Sequence, residues 1–231
     1  MSNSSCHNFL SQPDASALAQ QHWNETPLYL KEVERYSVYP WLYEAAEFRK
    51  HAGERVLEIG CGTGCDLLQF AKHGAIATGI DITDRHLELA ANRIEGRAQL
   101  LKADARKLPF PDGSFDYVYS HGVIHHSDDP RGISNEILRV LRSGGRFNIH
   151  VYAEWSYSHL RYRQKFGQDW KRHVENSTAP VYIELYTARK LRALFPGIPL
   201  RIRKYEFHHW QFLGRWIGFF MAATGAKLIK I

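Results

Sequence analysis

From residue 55 onward, short apolar runs alternate with stretches in which apolar positions recur every three or four residues. The short runs predict buried strands: "RVLEIG" (55–60), "AIATGID" (75–81), "AQLLKAD" (98–104), one within "GSFDYVYSHG" and "RFNIHVY" (146–152). Between them lie helical patterns. "GCDLLQFAKHG" closes at Gly74, "TDRHLELAANRIEG" has Thr83 placed to cap its start, and "PRGISNEILRVLRSGG" stops at two glycines. This alternation predicts a parallel sheet wound by helices on both faces. After Tyr152 the rhythm breaks. Residues 153–180 are polar, basic and aromatic and read as an inserted cap. "TARKLRALFP" then resumes as a helix, "IPLRIRKYEFHHW" as a strand and "AKLIKI" (226–231) as the last strand. Residues 1–20 read as a flexible leader. Residues 21–50 read as an aromatic-rich helical lid broken at Pro27 and Pro40, and 21–231 as one domain.

Composition narrows the function. The 231 residues suffice for one α/β domain with a sizeable core, and the net charge of +6 mildly favours anionic partners. Cys6, Cys61 and Cys65 are sparse and odd in number, which suits a reducing cytoplasm better than a disulfide framework. The start of the chain lacks the pattern of a secretory signal, and no apolar run reaches membrane-spanning length. The segment "HHWQFLGRWIGFF" (208–220) could touch a lipid surface, but a buried crossover is the simpler reading.

The chemistry starts at "VLEIGCGTGCDLLQFA" (56–71). A strand, a turn with glycines at 60, 62 and 64, and a helix bring backbone close to a ligand at the sheet's carboxyl edge. Asp81 follows about 20 residues on, at the end of the second strand, where an acid can hold a ribose diol. A dinucleotide fits poorly. Cys65 stands where the third glycine of its fingerprint would fall. Glu58 would repel a pyrophosphate by about 1–4 kcal/mol. A ligand with a nucleoside and a positive centre is preferred instead.

These segments resemble the class I S-adenosylmethionine-dependent methyltransferases, in particular their small-molecule branch. "VLEIGCGTG", "GIDIT", "KADARKLPFPDGSFDYVYS", "HGVIHHSDDP" and "EILRVLRSGGRF" follow the family's motifs in order, across about residues 54–152. The resemblance implies a Rossmann-like, doubly wound sheet of seven strands with the last antiparallel. It also implies S-adenosylmethionine as methyl donor, S-adenosylhomocysteine as product, and no metal. It places Glu58, Gly60, Cys61 and Gly62 at the cofactor, Asp81 and Ile82 at the ribose, and Asp104 and Ala105 at the adenine. Ser120 follows on the fourth strand, and Arg35 and Tyr36 are candidate contacts from the lid.

His121, His125 and His126 cluster after the fourth strand, near where a methyl donor would sit, and the last two are the candidate catalytic residues. Three readings stand: a general base, a metal site with Asp128 or Asp129, or scaffolding around the cofactor. In the cap, aromatic residues interleave with Arg161, Arg163, Lys165, Lys171 and Arg172, and Tyr152, Trp155 and Tyr157 are candidate acceptor contacts. Such a surface suits an aromatic or anionic small molecule, or RNA. No polar–Pro–Pro–aromatic signature follows the fourth strand, which disfavours nucleic-acid bases as acceptors. The expected function is therefore methyl transfer to O, N or C of a small molecule. An RNA-modifying methyltransferase and a non-catalytic S-adenosylmethionine-binding regulator are the alternatives.

Overall fold

The computed structural model describes residues 15–25, 32–175, 182–205 and 218–228. Seven strands form one sheet: β1 (Arg55–Ile59), β2 (Ile76–Asp81), β3 (Gln99–Lys102), β4 (Phe115–His121), β5 (Leu141–Tyr152), β6 (Arg201–Tyr205) and β7 (Phe220–Ala226). Their order is β3-β2-β1-β4-β5-β7-β6. Strands β1 to β5 pair in parallel, and β7 runs antiparallel between β5 and β6. This is the expected Rossmann-like fold, with its antiparallel last strand.

Side-chain alternation assigns the two faces. Val56, Tyr117 and Tyr119 join the cluster formed with Leu67 and Phe70 of α4 (Cys65–Lys72) and Ala90 and Ile94 of α5 (Asp84–Ile94). Leu57, Ile59, Val118 and Ile149 point the other way. They meet Ile133 and Ile137 of α6 (Pro130–Val140) and Leu191 of α9 (Ala188–Leu194). Thr83, Asp129 and Thr187 cap α5, α6 and α9 with their side chains.

Three boundaries differ from expectation. Helix α6 ends at Val140, ahead of the two glycines expected to stop it, and β5 already begins at Leu141. The last strand ends at Ala226 instead of beginning there. The apolar run Phe219–Ala223 is what buries against β5, and Lys227 still exchanges backbone hydrogen bonds with Gly144 and Gly145 while its Nζ donates to the Leu141 carbonyl. Residues 229–231 of the expected strand lie outside the described residues. The leader is also shorter than expected. Helix α1 (Ala15–Glu25) begins within it, because Gln20 Nε2 donates to the Ile82 carbonyl (2.9 Å) and His22 is buried. Residues 1–14, Tyr29 of the lid and residues 208–217 lie outside the described residues.

The rest of the lid is α2 (Glu32–Val38) and the short α3 (Leu42–Ala45). Asp66, in the first turn of α4, pins α2 to the sheet. Its carboxylate accepts from Arg35 Nε (2.7 Å) and Nη2 (2.6 Å), from Tyr36 OH (2.9 Å) and from Tyr119 OH (3.0 Å). Burial alone would raise its pKa, but the guanidinium and the two hydroxyls hold it below the usual carboxylate range. In the cap, α7 (Tyr157–Phe166) and α8 (Trp170–Val174) pack on a third cluster containing Trp41, Tyr152 and Phe220.

Removing one partner of a buried, bidentate pair leaves an uncompensated charge, at a cost of about 3–5 kcal/mol. Arg35→Ala should lower stability by about that amount in urea titration, and Tyr36→Phe by about 1 kcal/mol. An unchanged midpoint for Arg35→Ala would mean that α2 is held by packing alone.

Candidate functional site

The carboxyl ends of β1, β2 and β4 and the loop after β3 open into one cavity. After Ile59 the chain turns at Gly60, whose φ of 68° lies in the left-handed region. A Cβ at Gly60 would fall 2.2 Å from Val123 Cγ2, so only glycine lets this turn lie against the loop after β4. The cavity borders Gly60, Gly62, Asp81, Ile82, Asp104, Ala105, Val123 and His126, and Trp23 of α1 closes one side. A narrower lobe continues to Glu58, Cys61, Arg35 and Asp66. His86 and His121 border both lobes.

The three acids expected at the cofactor differ in electrostatic state. Glu58 is buried, and burial together with Asp66 raises its pKa well above normal; its Oε2 has no hydrogen-bond partner. Asp81 Oδ2 accepts from the Gly62 N–H (2.9 Å), while Oδ1 accepts from the Thr83 N–H and hydroxyl. Burial opposes its ionisation, but hydrogen bonding from His86 and Thr83 keeps its pKa low. Asp104 is also held low: desolvation is outweighed by the Arg106 guanidinium and backbone N–H. That guanidinium also reaches Asp128 at 3.3 Å.

A row of neutral imidazoles lies beside the narrow lobe. Asn148 Nδ2 donates to the Ala45 carbonyl (2.6 Å), so Oδ1 faces His150 Nε2 at 3.0 Å and requires an N–H there. Burial drops the His150 pKa to about 3, so its Nδ1 is a lone pair. It accepts from His121 Nδ1–H at 2.9 Å. Burial, then Arg35 and His150, pull His121 well below 6.5. The remaining nitrogen, His121 Nε2, is therefore an unprotonated acceptor on a ring that borders both lobes.

Several expected site residues stand elsewhere. Ser120 is buried and donates to the Ile59 carbonyl, because its side chain points to the neighbouring strand. Tyr36 is turned to Asp66. His125 is buried against Tyr152, with ring centroids 3.8 Å apart, and neither residue borders the cavity. Trp155 (71% exposed) and Tyr157 (49% exposed) face outward from the cap and do not border it either. Asp66, His86 and His150 were not singled out from the sequence. For Asp66 the signal was present, as a carboxylate in the first turn after the glycines. His150 had none, since its role depends on pairing across the sheet.

Comparison with known proteins fits this geometry. Residues 57–149 match the family described as "Methyltransferase domain". An O-methyltransferase of Aspergillus nomiae is 41% identical over 103 residues, covering 42% of this chain and 46% of that protein. The 27-O-demethylrifamycin SV methyltransferase of Amycolatopsis mediterranei is 39% identical over 104 residues, covering 42% and 38%. The demethylmenaquinone methyltransferase of Clavibacter sepedonicus is 39% identical over 104 residues, covering 44% and 42%. Residues 57–149 are thus similar to the methyltransferase domain of these proteins.

The matched segment spans less than half the length of each of these relatives. The methyltransferase fold extends further than the sequence match. A Thermotoga maritima S-adenosylmethionine-dependent methyltransferase superposes with a TM-score of 0.66 at 22% identity, covering 90% of this chain and 99% of that one. The cyclase SpnF superposes with a TM-score of 0.61 at 21% identity, covering 85% and 81%. A cyclase on this fold means that the reaction must be argued from the site.

The glycine turn offers a sharp structural test. Gly60→Ala forces a left-handed φ on alanine and a clash with Val123. It should lower stability by about 1–3 kcal/mol, seen as a depressed melting temperature. A melting temperature equal to that of the parent would show that the turn can relax.

Proposed function

We propose that this methyltransferase moves a methyl group from S-adenosylmethionine to a nucleophilic atom of a small-molecule acceptor, a hydroxyl oxygen foremost, and releases S-adenosylhomocysteine. The observation that carries this reading is the row of three acids along one cavity, ending in a buried Glu58 oxygen with no partner. That orphan acceptor suits an ammonium group. Asp81 at the end of β2 suits a ribose, and Asp104 with the Ala105 backbone suits an adenine edge. Gly60, Cys61 and Gly62 supply the close backbone, and Arg35 fixes the charge balance at Glu58 through Asp66.

The bound donor supplies an electrophilic methyl on a sulfonium. This chain's part is to orient the donor, hold the acceptor against it and exclude water, and Trp23 stands where it covers the cavity. His121 Nε2 is the group proposed to take the acceptor's proton, since its lone pair is fixed by His150 and Asn148. His126 borders the same cavity, whereas His125 is proposed for a different role below. The cap cations support a small acceptor over RNA. Arg163 lies over Trp170, Arg161 over Tyr157, and Lys171 donates to the Ile183 carbonyl, so they serve the cap itself. Among the described residues no helix is long and apolar enough to cross a membrane. A cytoplasmic location stays part of the proposal.

Asp81→Ala should weaken S-adenosylmethionine binding by about 1–3 kcal/mol in calorimetry, and NADH should not compete. Unchanged affinity would remove Asp81 from the donor site. Incubation with phenols, quinols and amines, read as S-adenosylhomocysteine release, tests turnover. If no acceptor class releases product while the donor binds, the regulator alternative gains.

His121→Asn should cut turnover about 10²–10⁴-fold with donor affinity preserved. Because the His121 pKa lies well below 6.5, the base is already unprotonated at neutral pH. Turnover should be flat above about pH 6.5 and fall only on further acidification. A rate that instead climbs between pH 6 and 8 would assign the proton to another group.

A further inference from the structure

Three ligand atoms converge where the cap meets the loop after β4. His125, His126 and Glu175 each offer one, all within 4.8 Å of one another, and all three residues are buried. His126 Nδ1 lies 2.9 Å from the Tyr182 carbonyl and must be the N–H. In the neutral ring Nε2 is then a lone pair, and it faces Glu175 Oε1 at 3.8 Å. Two acceptors face each other across a gap too long for a hydrogen bond. Glu175 Oε1 has no hydrogen-bond partner, and neither does either nitrogen of His125. Leaving such groups buried and unpaired costs about 1–3 kcal/mol each.

We propose that His125, His126 and Glu175 form a divalent-cation site, zinc first, that joins the cap to the loop after β4. Two imidazole nitrogens and one carboxylate oxygen are a donor set that zinc accepts while keeping a fourth position open. The Tyr182 carbonyl orients His126 as an outer partner commonly orients a metal-bound histidine. Bonds of about 2.1 Å place tetrahedral ligand atoms about 3.4 Å apart. The observed spread, up to 4.8 Å, therefore has to contract by more than about 1 Å when an ion binds. His126 also borders the cavity, so the open position lies beside the acceptor region. A cation held by one carboxylate carries a net positive charge, which favours an anionic or hydroxylated acceptor there.

The site contradicts the metal-free expectation from sequence, and it does not use the acids considered there. Asp129 caps α6 by accepting from the Gly132 N–H, and Asp128 pairs with Arg106. Glu175 lies 49 residues beyond His126 in the chain, so no local spacing announces it.

The proposal is tested without turnover and so stands apart from the methyl-transfer reading. The full chain, stripped with chelator, is titrated with zinc chloride by calorimetry, and with cobalt(II) for its visible spectrum. One saturable equivalent is expected, with a raised melting temperature, since the ion binds only the folded state. Glu175→Gln and His126→Gln should each weaken that site at least about tenfold, a loss that even outer-shell partners can cause. Absence of a saturable zinc site in the parent protein overturns the proposal. So does a zinc affinity in both variants equal to that of the parent protein, which would assign the metal to other residues. Should either variant fold poorly, the cobalt spectrum of the parent decides: bands of a nitrogen–oxygen tetrahedral site support it, and a spectrum of aqueous cobalt defeats it.

Discussion

A buried carboxylate governs how this molecule is assembled. Asp66 sits under the glycine turn, takes two hydrogen bonds from Arg35 and one each from Tyr36 and Tyr119, and so ties α2, α4 and β4 together. The consequence reaches the narrow lobe of the cavity. With Asp66 ionised and satisfied, the neighbouring Glu58 is the acid whose ionisation is penalised, and its Oε2 is left without a partner. One arginine thus sets an asymmetry between two adjacent carboxylates. The satisfied one builds structure, and the unsatisfied one is available for a ligand.

A second asymmetry follows along the cavity. The acids line its β1, β2 and β3 side, while the neutral His121 ring lines the β4 side, backed by other aromatic rings. His121 packs near Tyr39 and Phe220 and is tied through His150 to Asn148 on β5. Burial keeps these rings uncharged, so they add polarity without repelling a cationic centre. An acidic wall facing a neutral, hydrogen-bond-accepting wall suits a positively charged donor beside a neutral nucleophile.

The parallel sheet was legible in the sequence because each strand is built on a short apolar run, although α6 stops at Val140 and its expected glycine stop lies inside β5. Thr83 caps α5 as its position suggested, and Gly60 turns as the glycine spacing required. Legibility ended where partners are distant in the chain. Ser120 and Tyr36 belong to the right segments, yet one is claimed by the Ile59 carbonyl and the other by Asp66. Trp155 and Tyr157 looked like pocket aromatics from composition, but composition does not say which side of a helix faces inward. The end of the sheet was misplaced for a related reason. Both 219–223 and 226–231 are apolar enough for a strand, and the pairing of 220–226 with β5 is not visible in the sequence.

The lid and the cap fall in the part of the chain that family likeness describes least. The matched segment ends at residue 149, before Tyr152, the cap and β7. Trp23 of α1 lies outside it as well, yet its ring meets His126 edge-on at 5.4 Å, and His126 in turn faces Glu175 of the cap. Lid and cap therefore both touch this one residue of the loop after β4, besides meeting in the cluster that joins Trp41 to Trp170. Any force that draws Glu175 toward His126 also acts on the ring that Trp23 covers. A loop within the family segment is thus in contact with elements that lie outside it on both sides.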